Sequence, residues 1–283
     1  RVVKEFRPHA VHIDHLQMAQ FVEFDSDYFT VLDQHNVEHV IIRRIADTAE
    51  NPAVRFFARR EWPRLRDYEL MACRQSGLVL TVSEEDRSEL CRLEPSLANV
   101  YAVPIGIDVE RYSNVQPAYG SPNVLFTGTM YWPPNVDCVQ YFCRDILPLV
   151  RQRVPECTFA VVGQKPVESV KRLAAEPGVQ VTGYVEDDRE VAGRCGVFVV
   201  PLRSGSGVRV KILNAMAMGL PVVSTSVGAE GINAVSGEHL IIADGPNDFA
   251  DAVADLLTDV GLAQRIGGAA RQLAREKYSW QKA

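Results

Sequence analysis

The sequence predicts an α/β protein built from parallel, doubly wound sheets in two domains. Three observations carry that prediction. Short apolar runs recur along the chain with helical patterns between most of them, the alternation that builds parallel sheets covered on both faces. The 283 residues, 47% of them apolar, suffice for two cores of ordinary size. Between Ser113 and Ser121, Pro, Gly, Asn, Gln and Ser cluster as they do in a linker.

In chain order the apolar runs place strands near Ala10 to Asp14, Val31 to His35, Leu78 to Val82 and Val100 to Val103, then, past the linker, near Val124 to Thr127, Thr158 to Val162, Val179 to Thr182, Val197 to Val200, Val222 to Ser224 and Leu240 to Ile242. Ser83 stands at the end of the third run, followed by Glu84, Glu85 and Asp86, which reads as a helix N-cap with acidic residues in the first turn. In the last long helical stretch Phe249, Val253, Leu256 and Leu257 share one face, with Asp248, Asp251 and Asp255 outside it. Domains are expected over 1–115 and 116–270, the first of them incomplete, with 271–283 returning to the first. About four strands fall in the first domain and six in the second.

Composition narrows the function. A net charge of -6, with no long basic stripe, argues against nucleic-acid binding. The six cysteines are scattered without a CxxC pair, and read as buried thiols of a reducing cytoplasm. No apolar run approaches the roughly 20 residues that span a bilayer, so a soluble, cytoplasmic chain is expected. One segment qualifies this. Arg55 to Arg66 joins five arginines to Phe56, Phe57 and Trp62. It reads as a helix resting on an anionic membrane or, more ordinarily, as one that packs its aromatics inward, with Pro63 bending or ending it.

The most informative stretch runs from Pro201 to Gly231. A buried strand leads into Ser204, Gly205, Ser206 and Gly207, which are expected to open a helix. First-turn amides lack partners and carry the positive end of the helix dipole, so a diphosphate placed at Ser206 and Gly207 is stabilised; on loop composition alone the stretch reads equally well as an ordinary strand-to-helix turn. Lys211 and Asn214, three residues apart, share a face separate from the apolar stripe of Val208, Ile212, Ala215 and Met216.

This stretch resembles the donor-binding region of glycosyltransferase family 4, retaining enzymes of the GT-B fold. There, a Glu, seven residues and a second Glu precede an AMAxGxPVV run. Ala215, Met216, Ala217, Gly219, Pro221, Val222 and Val223 match that run, whereas Ser206 and Asn214 stand in the glutamates' places. The usual Arg and Lys after the first strand of the second domain are replaced too, by Thr129 and Pro134. The resemblance therefore implies a branch in which a Gly-Ser-Gly-x-Arg-x-Lys element takes over, with Arg209 and Lys211 as diphosphate ligands. It extends to Val103 to Asp108, to Val181 to Asp188 and to Glu276 to Trp280.

What the resemblance implies is a GT-B protein of two Rossmann-like domains that moves a sugar from a nucleoside-diphosphate sugar to a glycan or lipid-linked hydroxyl acceptor. It implies donor contacts at Gly128, Thr129, Gly163, Tyr184, Val185, Ser204, Gly205, Ser206, Gly207 and Asn214. His35, at a strand end with Glu38 nearby, matches a histidine that reaches the transferred sugar; the plainer reading has His35 at a helix start capped by Asn36. No cofactor and no metal is expected, although His12, Asp14 and His15 invite a metal reading. No carboxylate is visibly placed as a nucleophile, which fits a front-face route in which the leaving phosphate takes the acceptor proton. A nucleotide-sugar epimerase and a non-catalytic, nucleotide-binding or scaffolding relative stay open as other readings.

Overall fold

The computed structural model describes residues 2–282. The chain divides into two compact units, Arg1–Ile105 with Ser204–Val208, and Gly106–Arg203 with Arg209–Ala283. The break at Ile105/Gly106 lies ahead of the Pro- and Gly-rich stretch that the sequence marks as the linker.

The first unit holds a parallel sheet in the order β1-β2-β3-β4 (Ala10–Asp14, Phe29–Gln34, Leu78–Thr81, Val100–Ala102) with helices α1 (Val2–Phe6), α2 (Glu38–Thr48), α3 (Pro52–Gln75) and α4 (Glu84–Leu93). Ile13, Leu32, Val79 and Val100 bring the strands into one core with Leu70, Cys73, Leu90 and Leu97. Ser83 caps α4 as expected, its Oγ accepting from the Asp86 amide at 3.1 Å. The start of α2 is capped differently. Asn36 is not its cap. The buried Glu69 of α3 accepts from the amides of Glu38 (2.9 Å) and His39 (3.3 Å), from Gln34 Nε2 (3.0 Å) and from His39 Nδ1 (2.6 Å). A charge with 0% exposure is tolerable because the helix's orphan amides surround it.

Pro63 does not end its helix, and α3 runs on to Gln75. Residue Arg59, whose carbonyl the ring deprives of a partner, is exposed, where water can serve it. Phe56 and Phe57 are 65% and 62% exposed, so the aromatics at the start of α3 point outward, against the inward packing held to be the more ordinary.

The second unit holds a parallel sheet in the order β10-β9-β8-β5-β6-β7, comprising β5 (Asn123–Thr127), β6 (Thr158–Val162), β7 (Val179–Gly183), β8 (Val197–Val200), β9 (Val222–Ser224) and β10 (Ile241–Ile242). Its helices are α5 (Val109–Tyr112), α6 (Pro133–Tyr141), α7 (Leu147–Arg153), α8 (Glu168–Lys171), α9 (Asp188–Ala192), α10 (Val210–Met218), α11 (Ser226–Ala229), α12 (Pro246–Thr258) and α13 (Val260–Lys277). Phe126, Phe142, Phe159, Phe198 and Phe249 fill the core. Helix α12 buries Phe249, Val253, Leu256 and Leu257, the face read from the sequence. After α13, the Tyr278 carbonyl accepts from the Ile107 amide at 2.7 Å, and the Tyr278 hydroxyl accepts from the Asn233 amide at 2.7 Å, so this part of the C-terminal segment is tied into the second unit.

Among the described residues no helix is long and apolar enough to cross a membrane. The six cysteines are free. Burial pushes the thiols of Cys73, Cys143, Cys157 and Cys195 up to about 12, which makes them poor nucleophiles.

Candidate functional site

The strand order of the second unit points to the site before any side chain does. From β5 the chain steps outward to β6 and β7, then returns to lay β8 on the opposite side of β5. Loops leaving the carboxyl ends of β5 and β8 therefore diverge, and such switch points are where open α/β sheets bind ligands.

Gly128 follows β5 and Gly163 follows β6. The two backbones meet so closely that a Cβ on Gly163 would lie 1.6 Å from the Gly128 carbonyl oxygen. Only glycine fits there. The turn beyond Gly128 is closed by Trp132 N donating to the Thr129 carbonyl at 3.2 Å, and Pro133 then starts α6.

Lys211, in the first turn of α10, reaches this turn. Its Nζ donates to Asn135 Oδ1 at 2.8 Å, and Asn135 Nδ2 donates to the Thr129 carbonyl at 3.0 Å. The ammonium stands 4.1 Å from the centroid of the buried Phe126 ring and 2.7 Å from where a Gly128 Cβ would be. Loss of water pulls the Lys211 pKa down to about 7, the thiol of Cys138 opposes that, and Arg209 reinforces it. Its hydrogen-bond partner is a neutral amide, so an arriving anion would meet a cation that Asn135 orients but does not neutralise.

Asn135 is a site residue that sequence reasoning misses. An amide after two prolines carries no periodic signal, and its role depends on a contact with a residue far along the chain.

Arg209 is the N-cap residue of α10, 8% exposed, with its guanidinium donating to the Val227 carbonyl at 3.1 Å. Helix α10 thus opens at Val210, and the first-turn amides do not belong to Ser206 and Gly207 as expected. The physical reason is local: Gly205 (φ 145°) and Gly207 (φ 74°) are outside helical geometry, so the coil persists through them. Asn214 is half-buried one turn beyond Lys211.

The segment Ser204–Val208 packs within the first unit. Ser206 Oγ accepts from the Val37 amide at 3.1 Å and donates to Asp86 Oδ1 at 2.9 Å. Arg44 donates to the Gly205 carbonyl. A Cβ on Gly207 would stand 2.4 Å from the His35 carbonyl oxygen. The Gly/Ser loop is therefore seated on the turn that carries His35, a pairing of two sequence-predicted features that the sequence did not connect.

His35 follows β2 directly. Its Nε2 lies 3.2 Å from Asp14 Oδ1 and 3.6 Å from Asp33 Oδ2, and its ring is 3.9 Å from that of His15. Glu38 is buried, and that burial raises its carboxyl pKa above the usual range against the hydrogen bond from Gln17. In the second unit Tyr184 is 74% exposed, and Val185 lies with Arg111, Asp187 and Arg189 around a surface depression away from Lys211's own contacts.

Residues 121–259 match the family described as Glycosyl transferases group 1. That match lies within the second unit apart from Ser204–Val208, and the two parallel-sheet domains have the GT-B fold of the structural neighbours. A GDP-mannose-dependent alpha-(1-6)-phosphatidylinositol monomannoside mannosyltransferase of Mycolicibacterium smegmatis is 32% identical over 232 residues, 72% of this chain and 59% of the relative. An uncharacterized 44.6 kDa protein of the Klebsiella pneumoniae cps region is 28% identical over 169 residues, 56% of this chain and 43% of that protein. The chain thus spans about half the length of the curated relatives it matches. Among solved structures, the sucrose-phosphate synthase of Thermosynechococcus elongatus superposes with a TM-score of 0.78 at 15% identity, covering 99% of this chain and 72% of that one.

Proposed function

We propose that this chain is part of a retaining glycosyltransferase, in the branch of family 4 marked by Gly-Ser-Gly-x-Arg-x-Lys, which moves a sugar from a nucleoside-diphosphate sugar to a hydroxyl acceptor. The observation that carries this reading is the Lys211 ammonium at the β5/β8 switch point, oriented by Asn135 beside a glycine that keeps the space open. Lys211 of α10 reaches the turn after β5, where the resemblance wants a cation, and this supports the reading.

In the transfer, the bond between the anomeric carbon and the phosphate oxygen breaks, and the acceptor oxygen bonds to that carbon. The acceptor proton passes to the leaving phosphate. Charge grows on the nucleoside diphosphate as it leaves, and Lys211 stabilises it best where water is excluded. Arg209 adds positive potential, since it already opposes protonation of Lys211 and a diphosphate would relieve that repulsion. Gly128, Thr129 and Gly163 let the donor approach the backbone, Asn214 serves a donor hydroxyl, Tyr184 and Val185 meet the base, and His35 holds a hydroxyl of the transferred sugar. Ser206 acts indirectly, keeping the Gly/Ser loop on Val37 and Asp86. No metal takes part in the transfer.

The acceptor is a glycan or a lipid-linked sugar of polysaccharide or glycolipid assembly, in keeping with the named mannosyltransferase relative. The exposed Phe56 and Phe57, among Arg55, Arg59 and Arg60, support a peripheral contact with an anionic membrane surface.

Incubation of the full-length protein with GDP- and UDP-sugars tests this. The expected result is release of one nucleoside diphosphate that depends on an acceptor, with slow hydrolysis in its absence, and loss of both in Lys211→Ala. Conversion of donor to an isomeric nucleotide-sugar without acceptor would mark an epimerase. No turnover of any donor, with no nucleotide bound, would mark a non-catalytic relative.

A further inference from the structure

We propose that Asp14, His15 and His35, with Asp33 as a fourth ligand, form a binding site for one divalent borderline cation, represented by Zn2+. The register of the first sheet sets the site up. Asp14 of β1 pairs with Asp33 of β2, so two carboxylates stand side by side at the carboxyl edge, and one histidine follows each strand end. His15 takes a backbone conformation rare for a non-glycine residue, φ 71° and ψ 149°, while its amide donates to the Asp33 carbonyl at 3.2 Å. In this conformation its ring meets that of His35 at 3.9 Å between centroids, tilted by 36°.

The donor atoms converge. His15 Nδ1 lies 3.1 Å and His35 Nε2 3.2 Å from the same oxygen, Asp14 Oδ1, and the three ligand atoms lie within 4.8 Å of one another. Ligands bound at about 2.0–2.1 Å in a tetrahedral zinc shell stand roughly 3.3–3.4 Å apart, so the group needs little rearrangement to close on an ion. Asp33 Oδ2, 3.6 Å from His35 Nε2, is near enough to complete the set. Behind it His12 Nε2 stands 3.2 Å from that same Oδ2, the kind of outer partner that fixes a ligating carboxylate.

The charges also fit. Two carboxylates and two neutral imidazoles are balanced by one divalent ion, and this mixed nitrogen and oxygen set suits zinc better than calcium or magnesium. Asp14, His15 and His35 are 68%, 41% and 42% exposed in their side chains, so the ion can enter from solvent. With the ion bound, the His35 Nε2 is committed to it and is withdrawn from any sugar. Zinc therefore acts on this edge as an occupant that competes with substrate. The competing account, an exposed imidazole and carboxylate cluster with no ion, is worth little as bare hydrogen bonds and ion pairs.

The test is a direct titration of the full-length protein, in chelator-stripped buffer, with Zn2+ by calorimetry and with Co2+ by visible absorption. It needs no sugar transfer, so its failure and the failure of the proposed function are separable. We expect one site of micromolar or tighter affinity and cobalt d-d bands without a thiolate charge-transfer band. Asp14→Asn, His15→Gln and His15→Ala should each weaken binding at least tenfold, and His239→Ala, in the second unit, should leave it unchanged. Circular dichroism confirms that these exposed-site variants fold. Absence of binding, affinity indifferent to Asp14→Asn and His15→Gln, or a cobalt spectrum with a thiolate band would each overturn the site.

Discussion

The carboxyl edges of the two sheets are built on opposite principles. In the second unit the edge is glycine-lined, and a lysine steered by an asparagine reaches it. In the first unit the edge is exposed, and imidazoles and carboxylates crowd together without a buried cation. Strand order accounts for part of this difference. The order β10-β9-β8-β5-β6-β7 has a switch point that opens a crevice, whereas β1-β2-β3-β4 advances one strand at a time, and its loops follow one another along the edge. A half-buried lysine whose partner is a neutral amide is costly, and the fold keeps it where an anionic ligand would repay that cost. An exposed cluster costs little and can be remodelled.

Four substitutions, one of them a control, and one change of conditions would break or sharpen that contrast. The largest effect is expected from Gly163→Val, because no rearrangement makes room for a Cβ 1.6 Å from the Gly128 carbonyl oxygen. It should destabilise the second unit by about 4 kcal/mol, the range of exceptional core lesions, in urea unfolding. Gly268→Ala in α13, where an added Cβ meets nothing within 4 Å, is the control and should be neutral or stabilise by about 0.5–1 kcal/mol. Next comes Glu69→Ala, which strips the cap from α2 and removes the carboxylate partner of both Gln34 and His39. A loss of about 3 kcal/mol is expected, confined to the transition of the first unit.

Asn135→Ala should be milder. It frees the Lys211 ammonium rather than removing it, so nucleoside-diphosphate affinity should fall about fivefold, the size of one hydrogen bond, with unfolding little changed. The last effect is a pH dependence. In the free protein Lys211 titrates near 7, and a bound diphosphate raises that value. Affinity is then full below about pH 7 and declines as pH rises towards the bound-state value, by up to about tenfold per unit, with proton uptake on binding. Calorimetry in buffers of different ionisation enthalpy reads that uptake; none at pH 8 would remove Lys211 from the ligand set.

Much of the scaffold was legible in the sequence because buried parallel strands are apolar runs, and the ten strands lie where those runs do. The Ala215 to Val223 run likewise marked α10 and β9, and Lys211 with them. What the sequence withheld depends on contacts between distant residues. The start of α10 was placed too early, although the two glycines ahead of it were a usable signal. The seating of Ser206 on Val37 and Asp86 joins residues 169 and 120 positions apart, which no local pattern encodes. The same holds for Asn135 beneath Lys211, and for Glu69, an acidic residue within a long helix, which caps α2 and not its own helix.

In the proposed transfer Lys211 is the cation that holds the leaving diphosphate. A calorimetric titration of GDP and UDP into the full-length protein, with Lys211→Ala beside it and unfolding monitored in both, addresses that claim directly. The predicted result is one nucleotide bound by the parent protein, with affinity at least tenfold weaker in a variant that unfolds as the parent does, as expected for a charged hydrogen bond worth about 1.5–3 kcal/mol. Equal affinity in the two proteins would contradict it and move the phosphate site away from the β5/β8 switch point.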